Sequence, residues 1–226
     1  MVDLKSVAAC VSVAVVLVGA LPEAQLAVHL DPSHPIVFET EALRVLNVTI
    51  AADQTSLEHV LANDLATVCI SGCDFRARLL GAGWGDWLSR RPGQVLLREF
   101  AGRSSAQTEQ AGKRTYHAIS VENLRQRDWS RDQPLSSPAT RPRASSRAFH
   151  VSDVRLSAGT TDALHTHLHP VVAVLVGGEI VDRERGQNTL KDLRRPGDWT
   201  VLPAADSHQL MNRSNAGAYV VEVEVR

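Results

Sequence analysis

Aromatic side chains, cysteines and net charge are all scarce in this chain of 226 residues. Phe, Trp and Tyr together make up 4%, so a core must be built from Val, Leu, Ile and Ala. Three cysteines are too few for a small scaffold held together by disulfides. The 24 Lys and Arg residues against 25 Asp and Glu leave no basic excess that would attract nucleic acid. The remaining composition, 44% hydrophobic and 22% charged, is typical of globular proteins and excludes a chain disordered throughout.

The N-terminus carries a long apolar run, Val7–Val18, which only Ser12 interrupts. This run is shorter than the about 20 residues that a helix needs to span a membrane. Val18 and Ala20 are small residues at the −3 and −1 positions of a cleavage site after Ala20, and cleavage after Ala24 is a second option. The pattern therefore predicts that residues 1–24 are a signal peptide, that the protein is secreted or periplasmic, and that no membrane span remains after cleavage. An uncleaved N-terminal anchor is the alternative.

Two cysteines, Cys69 and Cys73, flank a short turn after an apolar run. If two strands pair across this turn, the cysteines face each other at bridging distance. Outside the cytoplasm a disulfide is then expected. The alternative is a pair of reduced cysteines that pack as small hydrophobic side chains.

The chain repeats three landmarks in the same order. Arg-Arg-Pro-Gly93 recurs as Arg-Arg-Pro-Gly197, 104 positions later. A β-branched run ending in glycine precedes each copy, with an offset of 106, and a run ending in glutamate follows each, with an offset of 102. Two copies of one unit explain this order better than chance does. Because short β-branched runs alternate with turn residues, each copy is predicted to be a barrel or a sandwich of strands.

The stretch between the copies is rich in Pro, Ser and Arg and lacks apolar periodicity, which is typical of an exposed linker. The predicted organisation is a signal peptide over 1–24, an N-terminal barrel over 41–122, a polar linker over 123–148 and a C-terminal barrel over 149–226.

Histidines cluster in the second copy. His165, His167 and His169 alternate along one extended segment, so their side chains share one face with Val171. Two imidazoles spaced in this way can reach one metal ion, and a third ligand must come from a neighbouring strand. The candidate is His208.

These residues resemble the two motifs of the cupin superfamily, G-x5-H-x-H-x3/4-E-x6-G and G-x5-P-x-G-x2-H-x3-N. The first motif matches at Gly159, His165, His167 and Gly178, and the second at Gly197, Pro203, His208 and Asn212. Val171 stands where the family has its metal-binding glutamate, and Ala205 replaces the second motif's glycine. In the first copy His59 corresponds to His165, Leu61 replaces His167, and Ser104–Ala106 lie near the equivalent of His208. His59 therefore reads as a structural histidine rather than as a ligand.

The resemblance implies an all-β fold of two cupin-type (double-stranded β-helix, or jelly-roll) barrels. It also implies one divalent transition metal, Fe, Ni, Zn, Cu or Mn, held by His165, His167 and His208. His169 lies on the right face to be a fourth ligand or a base beside the ion, unless Pro170 turns it outward. With Val171 in place of the glutamate, three neutral imidazoles would leave the charge of the ion uncompensated.

Two functions follow from this resemblance. One is a metal-dependent enzyme, resembling a dioxygenase or an isomerase, that acts on a small molecule. The other is a non-catalytic bicupin, a scaffold that binds a small ligand or only metal. In either case the expected partners are a small-molecule ligand or substrate and further copies of the chain in a homo-oligomer. No catalytic residue is assigned beyond the metal ligands.

Overall fold

A computed structural model describes residues 26–100, 105–125, 140–184 and 190–226. The predicted signal peptide and residues 126–139 of the predicted linker lie outside these ranges. The described residues form eighteen strands and one 3-10 turn, Val28–Leu30. None of their helices is long and apolar enough to cross a membrane.

The N-terminal barrel consists of two antiparallel sheets that face each other, in the orders β1-β2-β9-β4-β7 and β3-β8-β5-β6. Its strands are β1 (Ile36–Glu39), β2 (Leu43–Ile50), β3 (His59–Leu61), β4 (Asp64–Ser71), β5 (Asp74–Leu79), β6 (Leu88–Ser89), β7 (Val95–Arg98), β8 (Ser105–Ala111) and β9 (Tyr116–Asn123).

The C-terminal barrel repeats this topology strand for strand, with sheets β10-β11-β18-β13-β16 and β12-β17-β14-β15. Its strands are β10 (Thr140–Ser145), β11 (Phe149–Leu156), β12 (His165–Thr166), β13 (Val171–Gly177), β14 (Ile180–Glu184), β15 (Leu190–Leu193), β16 (Trp199–Leu202), β17 (Ser207–Asn212) and β18 (Ala218–Val225). Strand β10 extends into the stretch assigned to the linker, because its backbone pairs with β11 at the edge of the sheet despite its proline and arginines.

The inner strands of the two five-stranded sheets, such as β13 and β18, are buried on both faces. Along β13, Val172 and Val174 pack in a cluster that includes Val68 of the other barrel. Val171 and Ala173 point the opposite way, into the core of their own barrel. Burial on both faces explains why these strands are nearly continuous runs of Val, Ile and Ala.

The repeated Arg-Arg-Pro-Gly turns lie where the barrels meet. Gly93 contacts the ring of Tyr219 on β18, and Gly197 contacts the ring of His117 on β9. Both glycines have positive φ, +81° and +94°, which non-glycine residues rarely adopt. Each barrel thus docks its turn on the last strand of the other, and the repeat preserves a reciprocal contact.

Cys69 and Cys73 are joined by a disulfide, with their Cα atoms 6.0 Å apart. The expected pairing of the flanking strands is wrong, because β4 and β5 belong to different sheets of the N-terminal barrel. At Gly72, φ is +59°, and the chain turns from one sheet to the other. The disulfide therefore closes a corner between sheets and does not bridge a hairpin.

Candidate metal centre

Three of the predicted ligands come together at the end of the C-terminal barrel's smaller sheet. His165 on β12 is the register partner of His208 on β17, and their ring centroids are 4.3 Å apart. His167 follows directly after β12, and its Nε2 lies 3.2 Å from the Nε2 of His208. The strand pairing of β12 with β17 thus brings the two sequence motifs to one point.

The fourth member of the cluster is Glu222 on β18, which was not among the ligands predicted from the sequence. Its Oε1 lies 3.7 Å from the Nε2 of His165 and 3.7 Å from the Nε2 of His208. Its Oε2 lies 3.8 Å from the Nε2 of His167. These four residues each offer a ligand atom, and the four atoms lie within 4.8 Å of one another.

The expectation of a site without a carboxylate is therefore wrong. Val171 does face the barrel interior, but on the adjacent strand Glu222 pairs with Ala173, two residues further along β13. The side chain of Glu222 therefore reaches the cluster from β18, the strand beside β13. The signal in the sequence was the alternation of Glu222 and Glu224 with valines in the final strand, which places two carboxylates on one inward face.

The outward nitrogens of two histidines are held by hydrogen-bond acceptors. The Nδ1 of His165 lies 2.9 Å from the carbonyl oxygen of Ala163, and the Nδ1 of His208 lies 3.2 Å from Oδ1 of Asp182. With Nδ1 protonated and donating, each imidazole presents the lone pair of Nε2 to the cluster. Both rings are thus oriented as metal-binding histidines are.

Buried charges shape the electrostatics of the site. Burial lowers the pKa of His165, but the carboxylates of Glu222 and Asp162 outweigh it and raise the pKa to about 9. Burial raises the pKa of Asp162 to about 6. Burial also raises the pKa values of Glu222 and Glu224, but the histidines beside them lower both values below the ordinary range. The carboxylates therefore favour a positive charge in the cluster, which either a proton on His165 or a metal ion in its place would supply.

The residues pass a simple test for a metal ion. Two ligand atoms that each lie about 2.1 Å from one ion can be at most about 4.2 Å apart, and the four separations given above, 3.2–3.8 Å, are shorter. In addition, Nε2 of His165 and both carboxylate oxygens of Glu222 are buried without a hydrogen-bond partner in the described structure. Buried polar atoms left unpaired are unfavourable, and a shared ion would satisfy them. Their role as ligands stays a prediction.

His169 is not in this group of ligand atoms. It lies just before Pro170 and is half-buried, and its backbone N–H donates to Oε1 of Glu224 at 3.1 Å. The geometry assigns it no place beside His165, His167 and His208.

The N-terminal barrel retains one equivalent position. His59 pairs in register with Gln107, as His165 pairs with His208, so the equivalent of His208 is Gln107 and not Ser104–Ala106. Ser120 occupies the position of Glu222, as the matching strand registers indicate. His59 is nevertheless not alone, because Asp31 lies 3.0 Å away.

No protein-family model matches this chain, and no curated protein does. Solved structures do match. AerE from Microcystis aeruginosa has a TM-score of 0.62 at 11% identity, covering 87% of this chain and 98% of that one. A cupin 2 conserved barrel domain protein from Leptotrichia buccalis has a TM-score of 0.55 at 10% identity, with coverage of 85% and 88%. Salicylate 1,2-dioxygenase from Pseudaminobacter salicylatoxidans has a TM-score of 0.57 at 12% identity, with coverage of 82% and 72%. The predicted cupin fold is confirmed.

Proposed function

We propose that this two-barrel cupin-fold protein is an exported metal-dependent enzyme. Its C-terminal barrel binds one divalent transition-metal ion through His165, His167, His208 and Glu222. The observation that carries the proposal is the set of buried, unpartnered atoms, Nε2 of His165 and both oxygens of Glu222, which converge within reach of one ion.

Three imidazoles and one carboxylate form a mixed nitrogen and oxygen donor set. Imidazole suits Fe, Ni, Cu and Zn, and a carboxylate adds affinity for harder ions such as Mn. The carboxylate of Glu222 also compensates one unit of the ion's charge inside a buried site. Iron and manganese therefore fit this site better than they would fit three histidines alone.

The protein's own groups position the ligands. Asp182 and the carbonyl of Ala163 hold His208 and His165 in the tautomer that presents Nε2. The carboxylate of Glu224 lies 3.8 Å from Nδ1 of His167, a distance that allows electrostatic attraction but no hydrogen bond. When bound, the ion would act as a Lewis acid towards an oxygen of the substrate.

A small molecule that binds through an oxygen atom is the proposed substrate class, such as an enol or a hydroxy acid. The likeness to a salicylate 1,2-dioxygenase supports oxygenation as the reaction class, and isomerisation uses the same Lewis acid without an oxidant.

One observation favours a second candidate, a non-catalytic metal-binding protein. The ligand side chains are at most 8% exposed, which leaves little of their surface to a substrate.

Metal analysis tests this proposal. The purified protein is loaded with Fe²⁺ or Mn²⁺ and dialysed, and the metal content per chain is measured. We expect His167→Ala and Glu222→Gln to lower the content by one ion per chain. The matched control is Glu122→Gln, because Glu122 is an equally buried glutamate on β9, paired with Arg44. Unchanged metal content in both site variants would refute the assigned site. Turnover of candidate hydroxy acids then separates the enzyme from the metal-binding scaffold.

A further inference from the structure

A second cluster of metal-binding side chains lies in the N-terminal barrel, away from the site described above. The segment 26–35 runs across the end of strand β3, where the N–H of Val60 donates to the carbonyl of Leu26 at 2.7 Å. Val28 of this segment is buried in the barrel's apolar core. The segment thereby places Asp31 and His34, 2% and 4% exposed, beside His59 on β3.

The distances from Asp31 to the two histidines are short enough for a shared ion. Oδ2 of Asp31 lies 3.0 Å from Nδ1 of His59 and 3.4 Å from Nδ1 of His34. Both distances are below the about 4.2 Å that two ligands of one ion can span. Each residue offers one ligand atom, and the three atoms lie within 4.8 Å of one another.

The ring of His59 shares two contacts with that of His165. In both, Nδ1 faces the carbonyl oxygen two residues earlier, Leu57 at 3.1 Å and Ala163 at 2.9 Å. In both, Nε2 is buried without a hydrogen-bond partner among the described residues. The two rings differ in the nitrogen that faces their cluster, because Oδ2 of Asp31 lies 3.0 Å from Nδ1 of His59 and not beside Nε2. As a ligand, His59 would therefore bind the ion through Nδ1, and the proton on that nitrogen would move to Nε2.

The surrounding charges also call for a cation. Asp31 and Glu109 are two buried carboxylates, and Nη2 of Arg98 lies 3.4 Å from Glu109. Glu109 also lies 3.5 Å from Nε2 of His34. After Arg98 has compensated one carboxylate, one negative charge remains beside the histidines. Either a proton on His34 or a metal ion can balance it.

We propose that Asp31, His34 and His59 bind a second divalent ion, which anchors segment 26–35 to the N-terminal barrel. Two imidazoles and one carboxylate in a closed, buried setting form a donor set that suits Zn²⁺. Glu109 beside Nε2 of His34 orients that ring, as carboxylates commonly do behind a metal-bound histidine. Asp31 and His34 lie outside the repeated unit, so the proposed site is not a copy of the C-terminal one.

Zinc stoichiometry tests this second site. The purified protein is stripped with a chelator, reloaded with Zn²⁺, dialysed and analysed for zinc per chain. We expect two ions in the unchanged protein, one in His59→Ala and one in His167→Ala. Asp31→Asn, which keeps the size of the side chain, is expected to lose the same ion as His59→Ala and decides the outcome if His59→Ala does not fold. His117→Ala, which alters a histidine outside both clusters, is expected to retain two.

The two proposals fail in different ways. If His59→Ala and Asp31→Asn retain all the zinc of the unchanged protein, a proton on His34 balances the cluster and the second site is refuted. If these variants lose an ion while His167→Ala loses none, the second site stands and the C-terminal site fails. Co²⁺ in place of Zn²⁺ gives an independent readout, because visible absorption bands lost in Asp31→Asn report the ion at this cluster.

Discussion

The reciprocal contact of the two Arg-Arg-Pro-Gly turns predicts that Gly93→Ala lowers the stability of the protein by more than backbone strain alone would, because it also disturbs the packing between the barrels. A Cβ at Gly93 would overlap the ring of Tyr219 and would lie 2.5 Å from its hydroxyl oxygen. The ring cannot easily move, because its hydroxyl donates to Asp153 at 2.9 Å and its face lies 3.8 Å from the guanidinium of Arg155. Arg143 further joins Gly93 and Tyr219, donating to the Gly93 carbonyl and the Tyr219 hydroxyl at 2.7 Å each.

The magnitude follows from two contributions. A non-glycine residue at φ of +81° costs about 1–2 kcal/mol. Forcing an extra carbon into a packed contact adds about 1–3 kcal/mol. We therefore expect Gly93→Ala to lower the free energy of unfolding by about 3 kcal/mol. For a chain of this length that corresponds to a fall in Tm of about 6–12 °C.

The chain offers a matched control at Gly81, where φ is +75° but a Cβ would meet nothing within 4 Å. Gly81→Ala carries only the backbone strain, so its Tm should fall by about 2–4 °C if the strain is about 1 kcal/mol. Calorimetry of both variants, alone and combined with Tyr219→Ala, completes a double-mutant cycle. In the Tyr219→Ala background, Gly93→Ala should cost no more than Gly81→Ala does.

Two results would refute this reasoning. The first is a Gly93→Ala variant that is as stable as Gly81→Ala, since the overlap with Tyr219 would then have no energetic consequence. The second is an unchanged cost of Gly93→Ala after Tyr219 is removed, since the loss would then arise from the turn itself and not from the contact between barrels.

Three further predictions concern the site, the disulfide and export. Asp182→Asn should weaken metal binding about 10–100-fold, because it removes the acceptor behind His208, and titration should show no such loss in the exposed control Asp192→Asn. Thiol titration of the denatured, unreduced protein should detect neither Cys69 nor Cys73, and two free thiols would contradict the bond. N-terminal sequencing of the natively produced protein should begin after residue 20 or 24, and a chain that starts at Met1 would count against export.

The sequence alone predicted much of the fold, because the relevant patterns are local. Strand alternation has a period of two residues, so the spacing of His165 and His167 places both on one face wherever the strand lies. The offsets near 104 indicated two copies, and the structure has the same strand order in both barrels. The resemblance of the motifs, which include Pro203 and Asn212, then predicted the cupin fold.

Tertiary structure decided the rest of the candidate site. Glu222 is 51 positions beyond Val171, and its place in the cluster depends on the register between β13 and β18, which pairs it with Ala173. A shift of one residue in that register would turn the carboxylate to the other face of the sheet. The sequence showed that Glu222 alternates with valines, but no local pattern states which neighbouring strand it adjoins.

The same reason explains why the sequence did not predict the cluster around His59. Its own segment contains no second ligand, so the sequence predicted a structural histidine. Asp31 and His34 reach it only because segment 26–35 packs across the N-terminal barrel and buries Val28 in its core. The sequence by itself determined the strands, their duplication and the faces of the side chains. Contacts between segments distant along the chain depend on how the sheets close, and only the folded barrels decided them.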